Sequence, residues 1–299
     1  MRQTLPFLAI ALSLSLLSPA SAAYVLVNDF DGVVGTELTT DPNIYGFRAD
    51  QSVFVPSPTL TAGDQAGQVN GAGSPGGLAT ELGFDGFTIS DNSTGTIFFQ
   101  LTLPTTNTSF DPDMTIGLLQ PGQPTPNVFN PFYRLQLRAN SAGTATALRG
   151  GGVDTVAGNP PSTGVDELQV NGSDVLLQQG VTYDFFAVLD TTNDELDLYL
   201  QADADPLFSG APVLVGSGGD FDNSLDFSGI SQTDIGTLSA VAFNDDPTVN
   251  VLFDNLYVDT TGQNLISPVA ATAVPEPGSA LLGLAAIGGI AARRRRNRK

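Results

Sequence analysis

Carboxylates are nearly the whole chemical inventory of this sequence. It holds 26 aspartates and five glutamates but no cysteine and no histidine. Thiolate nucleophiles, imidazole bases, disulfides and imidazole or thiolate metal centres are therefore excluded by composition. Two kinds of carboxylate chemistry remain: a pair of acids working on a glycosidic bond, and clustered hard oxygens holding calcium. For the first, Glu195-Leu196-Asp197 places two carboxylates at i and i+2 on one strand face. An exposed strand face accounts for the pair, and the chain is read as non-catalytic. For the second, aspartates gather at Asp29/Asp31, Asp111/Asp113, Asp190/Asp194, Asp220/Asp222 and Asp245/Asp246, with Asp254-Asn255 near the end of the body. None has the spacing of an EF-hand loop. The plain alternative is that these are turn and edge residues that solvate the surface.

Sugar recognition needs flat aromatic platforms, and tryptophan is absent. Tyrosine and phenylalanine remain, notably Tyr45, Phe47, Phe129, Phe132 and Tyr133. The stretch from Asn127 to Tyr133 concentrates them, which makes Phe129, Phe132 and Tyr133 the candidate glycan platform. Most of the 18 phenylalanines are needed for a core instead. Arg134 and Arg138 alternate with Leu135 and Leu137 on the strand that follows, placed either to hydrogen-bond an acidic sugar or to neutralise nearby aspartates.

The elements that carry these groups lie between two processing segments. Met1 to Ala22 reads as a secretory signal: Arg2 gives the basic start, Leu5 to Leu17 the apolar run and Ala20-Ser21-Ala22 the cleavage site, with cleavage after Ala23 as the alternative. At the other end, Pro275-Glu276-Pro277 is an extended handle, because proline fixes φ and keeps the preceding residue out of a helix. Behind it, the uncharged run from Ser279 to Ala292 makes a helix of about 21 Å, short of a hydrocarbon core of about 30 Å. Arg293, Arg294, Arg295 and Arg296, followed by Arg298 and Lys299, hold that end on the cytoplasmic side. A temporary anchor fits this segment, which is the chain's one expected membrane contact. The three parts in this order resemble the PEP-CTERM sorting signal of Gram-negative bacteria. That resemblance implies export through the inner membrane by the secretion translocon. It also implies cleavage near the motif by an exosortase, a membrane-embedded cysteine transpeptidase, and delivery to the cell envelope, cell surface or extracellular matrix. An ordinary tail anchor is the alternative.

Between these ends lie four arginines, Arg48, Arg134, Arg138 and Arg149, against 30 carboxylates, a net charge of −26. Such a body repels nucleic acid, excluding it as a partner, and attracts divalent cations. Its hydrophobic pattern is that of strands throughout, with Gly, Pro, Asn and Asp between them. Expected strands include Tyr24 to Phe30, Phe84 to Ser90, Thr96 to Leu103, Met114 to Leu119, Tyr183 to Asp190, Glu195 to Ala202, Leu238 to Phe243 and Asn250 to Asp259. Asn171-Gly172 predicts a type I′ hairpin turn, and a second hairpin joins Tyr183–Asp190 to Glu195–Ala202. The glycine-rich stretches 62–77 and 140–164 read as long loops. Short antiparallel strands in this number predict an all-β, two-sheet sandwich.

The order of the later elements resembles a concanavalin-like or laminin-G-like jelly roll, carried by 181–190, Leu196 to Leu200 and Phe253 to Val258. Jelly-roll glycosidases resembling laminarinases carry a third acid after the pair seen at Glu195 and Asp197, and that motif is broken here. Carbohydrate-binding jelly rolls hold a structural calcium between the first strand and an aspartate of the last. By that resemblance Asp29 or Asp31 meets Asp254, with calcium as the cofactor and extracellular polysaccharide as the partner of a lectin-like module. The expected organisation is a signal peptide at 1–22, a sandwich at 23–259, a flexible spacer at 260–273 and a sorting signal at 274–299.

Overall fold

The computed structural model describes residues 23–47, 52–57, 64–70, 80–119, 133–152, 166–192, 195–215, 234–243 and 246–269. The expected signal peptide and sorting signal lie outside them. Met1 to Leu265 forms one compact unit and Ile266 to Lys299 a second, of which 266–269 is described.

The first unit is built of strands. In chain order they are β1 (Val25–Asn28), β2 (Ile44–Phe47), β3 (Val53–Pro56), β4 (Gln65–Val69), β5 (Thr80–Phe84) and β6 (Thr94–Thr102). Next come β7 (Met114–Leu119), β8 (Tyr133–Ala139), β9 (Thr146–Gly152), β10 (Asp166–Glu167), β11 (Gln169–Val170) and β12 (Ser173–Asp174). The last six are β13 (Leu176–Leu177), β14 (Thr182–Asp190), β15 (Glu195–Gln201), β16 (Val213–Leu214), β17 (Thr237–Ala242) and β18 (Val251–Asp259). One sheet runs β16-β15-β14-β6-β18-β4-β3, with β1 also on β18. The other runs β10-β9-β8-β7-β17-β5-β2, with β13 on β9. All described pairings between these strands are antiparallel. The chain is the two-sheet, all-β sandwich its pattern predicts.

Alternation fixes which side chains enter the core. On β15, Leu196, Leu198 and Leu200 are buried, while Asp197, Tyr199 and Gln201 are half-exposed. The long central strands β6, β14 and β18 are rich in β-branched and aromatic residues, which suit a pleated surface. Their inward rings form a column: Phe185 stacks on Phe99 at 5.0 Å, Phe99 on Phe253 at 6.1 Å, and Phe84 and Phe30 continue it at 5.7 and 5.4 Å. Such pairs contribute about 0.5–1.5 kcal/mol each beyond burial.

Both expected hairpins form. β11 and β12 pair across Asn171 and Gly172, whose φ values of 53° and 77° are those of a type I′ turn. β14 pairs with β15 from Asp190↔Glu195 to Asp184↔Gln201. The glycine-rich stretches behave otherwise than expected, since 62–77 contains β4 and 140–164 contains β9. The reason is close packing. A Cβ on Gly67 would stand 2.6 Å from the Phe30 ring, so the glycine is room for a core side chain and not a turn. The strand expected at Phe84 to Ser90 also lies earlier, as β5.

The segment after β18 departs from the flexible spacer expected from 260. Asp259 accepts hydrogen bonds from the Thr261 N–H and hydroxyl and from the Asn264 amide. Thr96 Oγ1 donates to the Gly262 carbonyl, and the Asn264 N–H donates to Thr96 Oγ1, both at 2.9 Å. Tyr24, at the other end of the body, donates to the Asn264 carbonyl. Residues 260–264 are thus laid across the outer face of β6, and the two ends of the sandwich are tied together.

Candidate functional site

The last strand contains a break that gathers acidic side chains. Along one edge β18 pairs with β6 through Leu252↔Thr102, Phe253↔Leu101 and Asp254↔Gln100, and the register then shifts before Tyr257↔Phe98. Along its other edge β4 partners Val251 to Phe253 and β1 partners Leu256 to Val258. Asp254 and Asn255 therefore stand at a gap between β4 and β1, where no neighbouring strand completes the ladder. Asn255 takes a left-handed φ of 54°, a conformation that Asn tolerates better than most residues. Its amide donates to Gln100 Oε1 at 2.9 Å, and Gln100 Nε2 donates to Asp184 Oδ1 at 2.8 Å.

Asp254 is 5 % exposed. Its Oδ2 accepts the Ser57 hydroxyl at 3.0 Å, while its buried Oδ1 has no hydrogen-bond partner among the described residues. Burial pushes the carboxyl pKa up to about 7. The Ser57 hydroxyl and the Asn255 N–H work against that shift, and the charges of Asp64 and Asp31 add to it. Asp64 is itself raised, first by burial and then by the neighbouring Asp31 and Asp29 carboxyls. The Tyr257 hydroxyl closes the corner; burial raises its pKa, with further contributions from Asp29, Asp254 and Asp64.

Phe30 delivers the β1 end of this corner. The Asn28 side chain accepts its N–H at 2.7 Å, its φ is 57°, and its ring fills the end of the core column. With that ring buried, Asp29 and Asp31 on either side are exposed. Asp29 Oδ1 accepts the Asp31 N–H at 3.2 Å, which fixes their turn. As the side chains stand, no three acidic groups among the described residues are gathered closely enough to hold a metal ion.

Asp31 and Asp64 therefore lie near enough to Asp254 for their charges to raise its pKa, and Asp29 acts on Asp64 in the same way, while no group of three acids that could hold a metal forms among the described residues. Sequence reasoning missed Asp64 because it lies in a glycine-rich stretch with no acidic neighbour. Among the other acidic pairs, Asp111 and Asp113 face Arg138 at 3.8 and 3.3 Å, so that arginine neutralises aspartates. Asp190 and Asp246 accept the N–H groups of Thr192 and Thr248 in their own turns. Asp194, Asp220, Asp222 and Asp245 lie outside the described residues. So do Phe129 and Phe132 of the glycan platform, the Pro275-Glu276-Pro277 motif and Arg293 to Arg296. Tyr133 is the first residue of β8. Tyr45 lies on β2 with its ring over Gly83, where a Cβ would come within 2.4 Å. No helix among the described residues is long and apolar enough to cross a membrane.

An all-β sandwich with an acidic corner on its closing strand is the class that fold and site define. Residues 273–296 match the PEP-CTERM protein-sorting motif, which implies an exported protein that an exosortase processes and that is held at the cell envelope. No curated protein matches the chain by sequence. Among solved structures, the chain is similar to a UEA-II lectin complexed with galactose, at 10 % identity and a TM-score of 0.48 over 80 % of this chain and 99 % of that one. It is similar to the carbohydrate recognition domain of Emp47p at 12 % identity and a TM-score of 0.43, over 79 % and 95 % of the two chains. A sialidase matches at 12 % identity and a TM-score of 0.42 over 81 % of this chain, which spans 19 % of the sialidase.

Proposed function

We propose that this protein is a structural or adhesive component of the cell surface or extracellular matrix of a Gram-negative bacterium, and that its sandwich is non-catalytic. The sorting motif at 273–296, behind an all-β body, carries the reading: the tail directs the protein outward and the body is the cargo. A signal peptide at 1–22, passage through the secretion translocon and a short membrane helix before the arginines complete the route. Replacing Pro275-Glu276-Pro277 with alanines is expected to leave a membrane-bound precursor with its cationic tail intact. Unchanged release would overturn the sorting half. Turnover of β-glucans that disappears in Glu195→Gln would overturn the non-catalytic half.

A second reading, a calcium-stabilised lectin-like module for extracellular polysaccharide, draws on the outward face of the first sheet. There Tyr199 and Tyr257 lie half-exposed near the Asp184–Gln100–Asn255 hydrogen-bonded row. Aromatic faces beside carboxylate and amide groups are what a sugar ring needs. A glycan array with the purified protein in calcium tests it, and binding to no polysaccharide would sink it.

A further inference from the structure

We propose that the open end of the outer face of the first sheet, around Tyr199, binds a polysaccharide of amino sugars, whose ammonium groups are received by Asp184 and Asp197. The inference rests on the lectin-like reading and narrows its ligand to a cationic glycan.

Strand pairing lays three rows of side chains across this face. The middle row is aromatic: Tyr199 on β15, Phe186 on β14, Phe98 on β6 and Tyr257 on β18. Gln201, Asp184, Gln100 and Asp254 make the row on one side, and Asp197, Val188, Thr96 and Asp259 the row on the other. The chain's own ends occupy the centre. The Tyr24 ring packs against Phe98, residues 260–264 are tied to Thr96, and Phe98 and Phe186 are fully buried. The β15 end stays open. There Tyr199 is half-exposed, and Gln263 Nε2 donates to its hydroxyl at 3.2 Å, which anchors the far end of the side chain. Asp197 and Asp184, also half-exposed, stand on either side of it. Asp197 lies two residues back, about 6.6 Å along the strand, and Asp184 is a diagonal neighbour on β14, a separation of about 7–8 Å that a ring-sized ligand bridges. One oxygen of Asp184 is oriented by Gln100 at 2.8 Å.

Charge decides the class of sugar. The strands of this sheet carry Asp184, Asp190, Glu195, Asp197, Asp254 and Asp259 but no lysine or arginine. Arg134, Arg138 and Arg149 all stand on β8 and β9 of the other sheet, where Asp111, Asp113 and Glu167 engage Arg138 and Arg149. A polymer of uronates or sulfated sugars therefore meets like charge on this face. A neutral polymer strips water from the carboxylates and returns no charged donor. A protonated amine meets both demands, because it donates charge-assisted hydrogen bonds to carboxylates and is drawn to the face of a tyrosine ring. Repeated along a chain, such amines are also concentrated by the negative field of the body before they dock.

The test uses the full-length protein and calorimetric titration with four probes: glucosamine oligomers, N-acetylglucosamine oligomers of equal length, a neutral β-glucan oligomer and a uronate oligomer. The glucosamine oligomers are expected to bind about tenfold more tightly than the others at low salt, and the advantage should shrink as salt is raised. Combining Asp184→Asn with Asp197→Asn is expected to remove that advantage, and Tyr199→Ala to remove binding of every sugar, with the fold of each variant checked by thermal unfolding. Asp197→Asn alone, a smaller change on an outer strand face, is expected to cost about threefold and reads the same contact should the double variant fail to fold. Asp111→Asn, at the Arg138 pair of the other sheet, is expected to change nothing. An advantage that survives the aspartate variants, or that falls equally in Asp111→Asn, would overturn the site in favour of the general charge of the body. Neutral or uronate oligomers bound as tightly as the amino sugar would overturn the ligand class and leave the lectin-like reading standing, whereas binding of no sugar would remove both.

Discussion

Asp254 and Asp259 sit on the same strand, and both are withdrawn from water, at 5 % and 0 % exposure. Their surroundings differ completely. Asp259 accepts from the Thr261 N–H, the Thr261 hydroxyl and the Asn264 amide, so both its oxygens are occupied by the segment that follows it. Asp254 has the Ser57 hydroxyl on one oxygen, and its other oxygen has no hydrogen-bond partner among the described residues. Asp259 closes a structure, whereas Asp254 is left half-satisfied with its carboxyl pKa raised. The contrast shows that a buried carboxylate is informative through its donors rather than through its burial. Satisfied, it holds a strap in place; half-satisfied beside other acids, it keeps its proton to higher pH.

The largest test removes the satisfied member. Asp259→Ala strips three acceptor contacts and leaves the Asn264 amide without its carboxylate. It is expected to lower stability by about 3 kcal/mol, roughly 6–12 °C in melting temperature. A melting temperature unchanged from wild type would show that the segment after β18 adds nothing to stability.

A second variant imitates Asp254 elsewhere. Tyr183 donates to Asp205 Oδ2 at 2.7 Å while accepting the Gln178 N–H, and Asp205 is buried with its other oxygen on the Leu207 N–H. Tyr183→Phe leaves that oxygen bare and is expected to cost about 2 kcal/mol by denaturant unfolding. An unchanged unfolding midpoint would show that Asp205 does not depend on the Tyr183 hydroxyl.

Tyr24→Phe removes the hydroxyl that reaches the Asn264 carbonyl but leaves the ring against Phe98 and Tyr257. A loss of about 1 kcal/mol is expected, with faster amide exchange in 260–264. An unchanged exchange rate would show that Asp259 holds the strap unaided.

The smallest effect has the opposite sign. Burial raises the carboxyl pKa of Asp197 on the outer face of β15. Its folded form holds its proton to higher pH than the unfolded chain, so stability falls as pH rises out of the carboxylate range. Asp197→Asn is therefore expected to gain at most about 0.5 kcal/mol at neutral pH, after allowance for solvent screening. The gain should vanish below about pH 4, where the residue is protonated in both states. A gain that persisted in acid would point to packing instead of charge.

Much of this molecule was legible in its pattern. Period-two alternation placed Leu196, Leu198 and Leu200 inward, and Asn171-Gly172 announced its turn. What escaped was carried by glycine and by context. Gly67 and Gly150 sit within strands because Phe30 and Leu168 press on them, yet in sequence glycine signals a turn. Asp64 gave no sign because its partners are remote in the chain.

The sequence by itself determined the chemistry that is excluded, the all-β class and the sorting motif at its end, because composition, alternation and short motifs are local properties. Only the tertiary structure decided which of many aspartates matter. Ser57 reaches Asp254 through strand pairing and the charges of Asp31 and Asp64 act on it, one of its oxygens has no donor among the described residues, and desolvation and hydrogen bonding depend on neighbours that no stretch of sequence names.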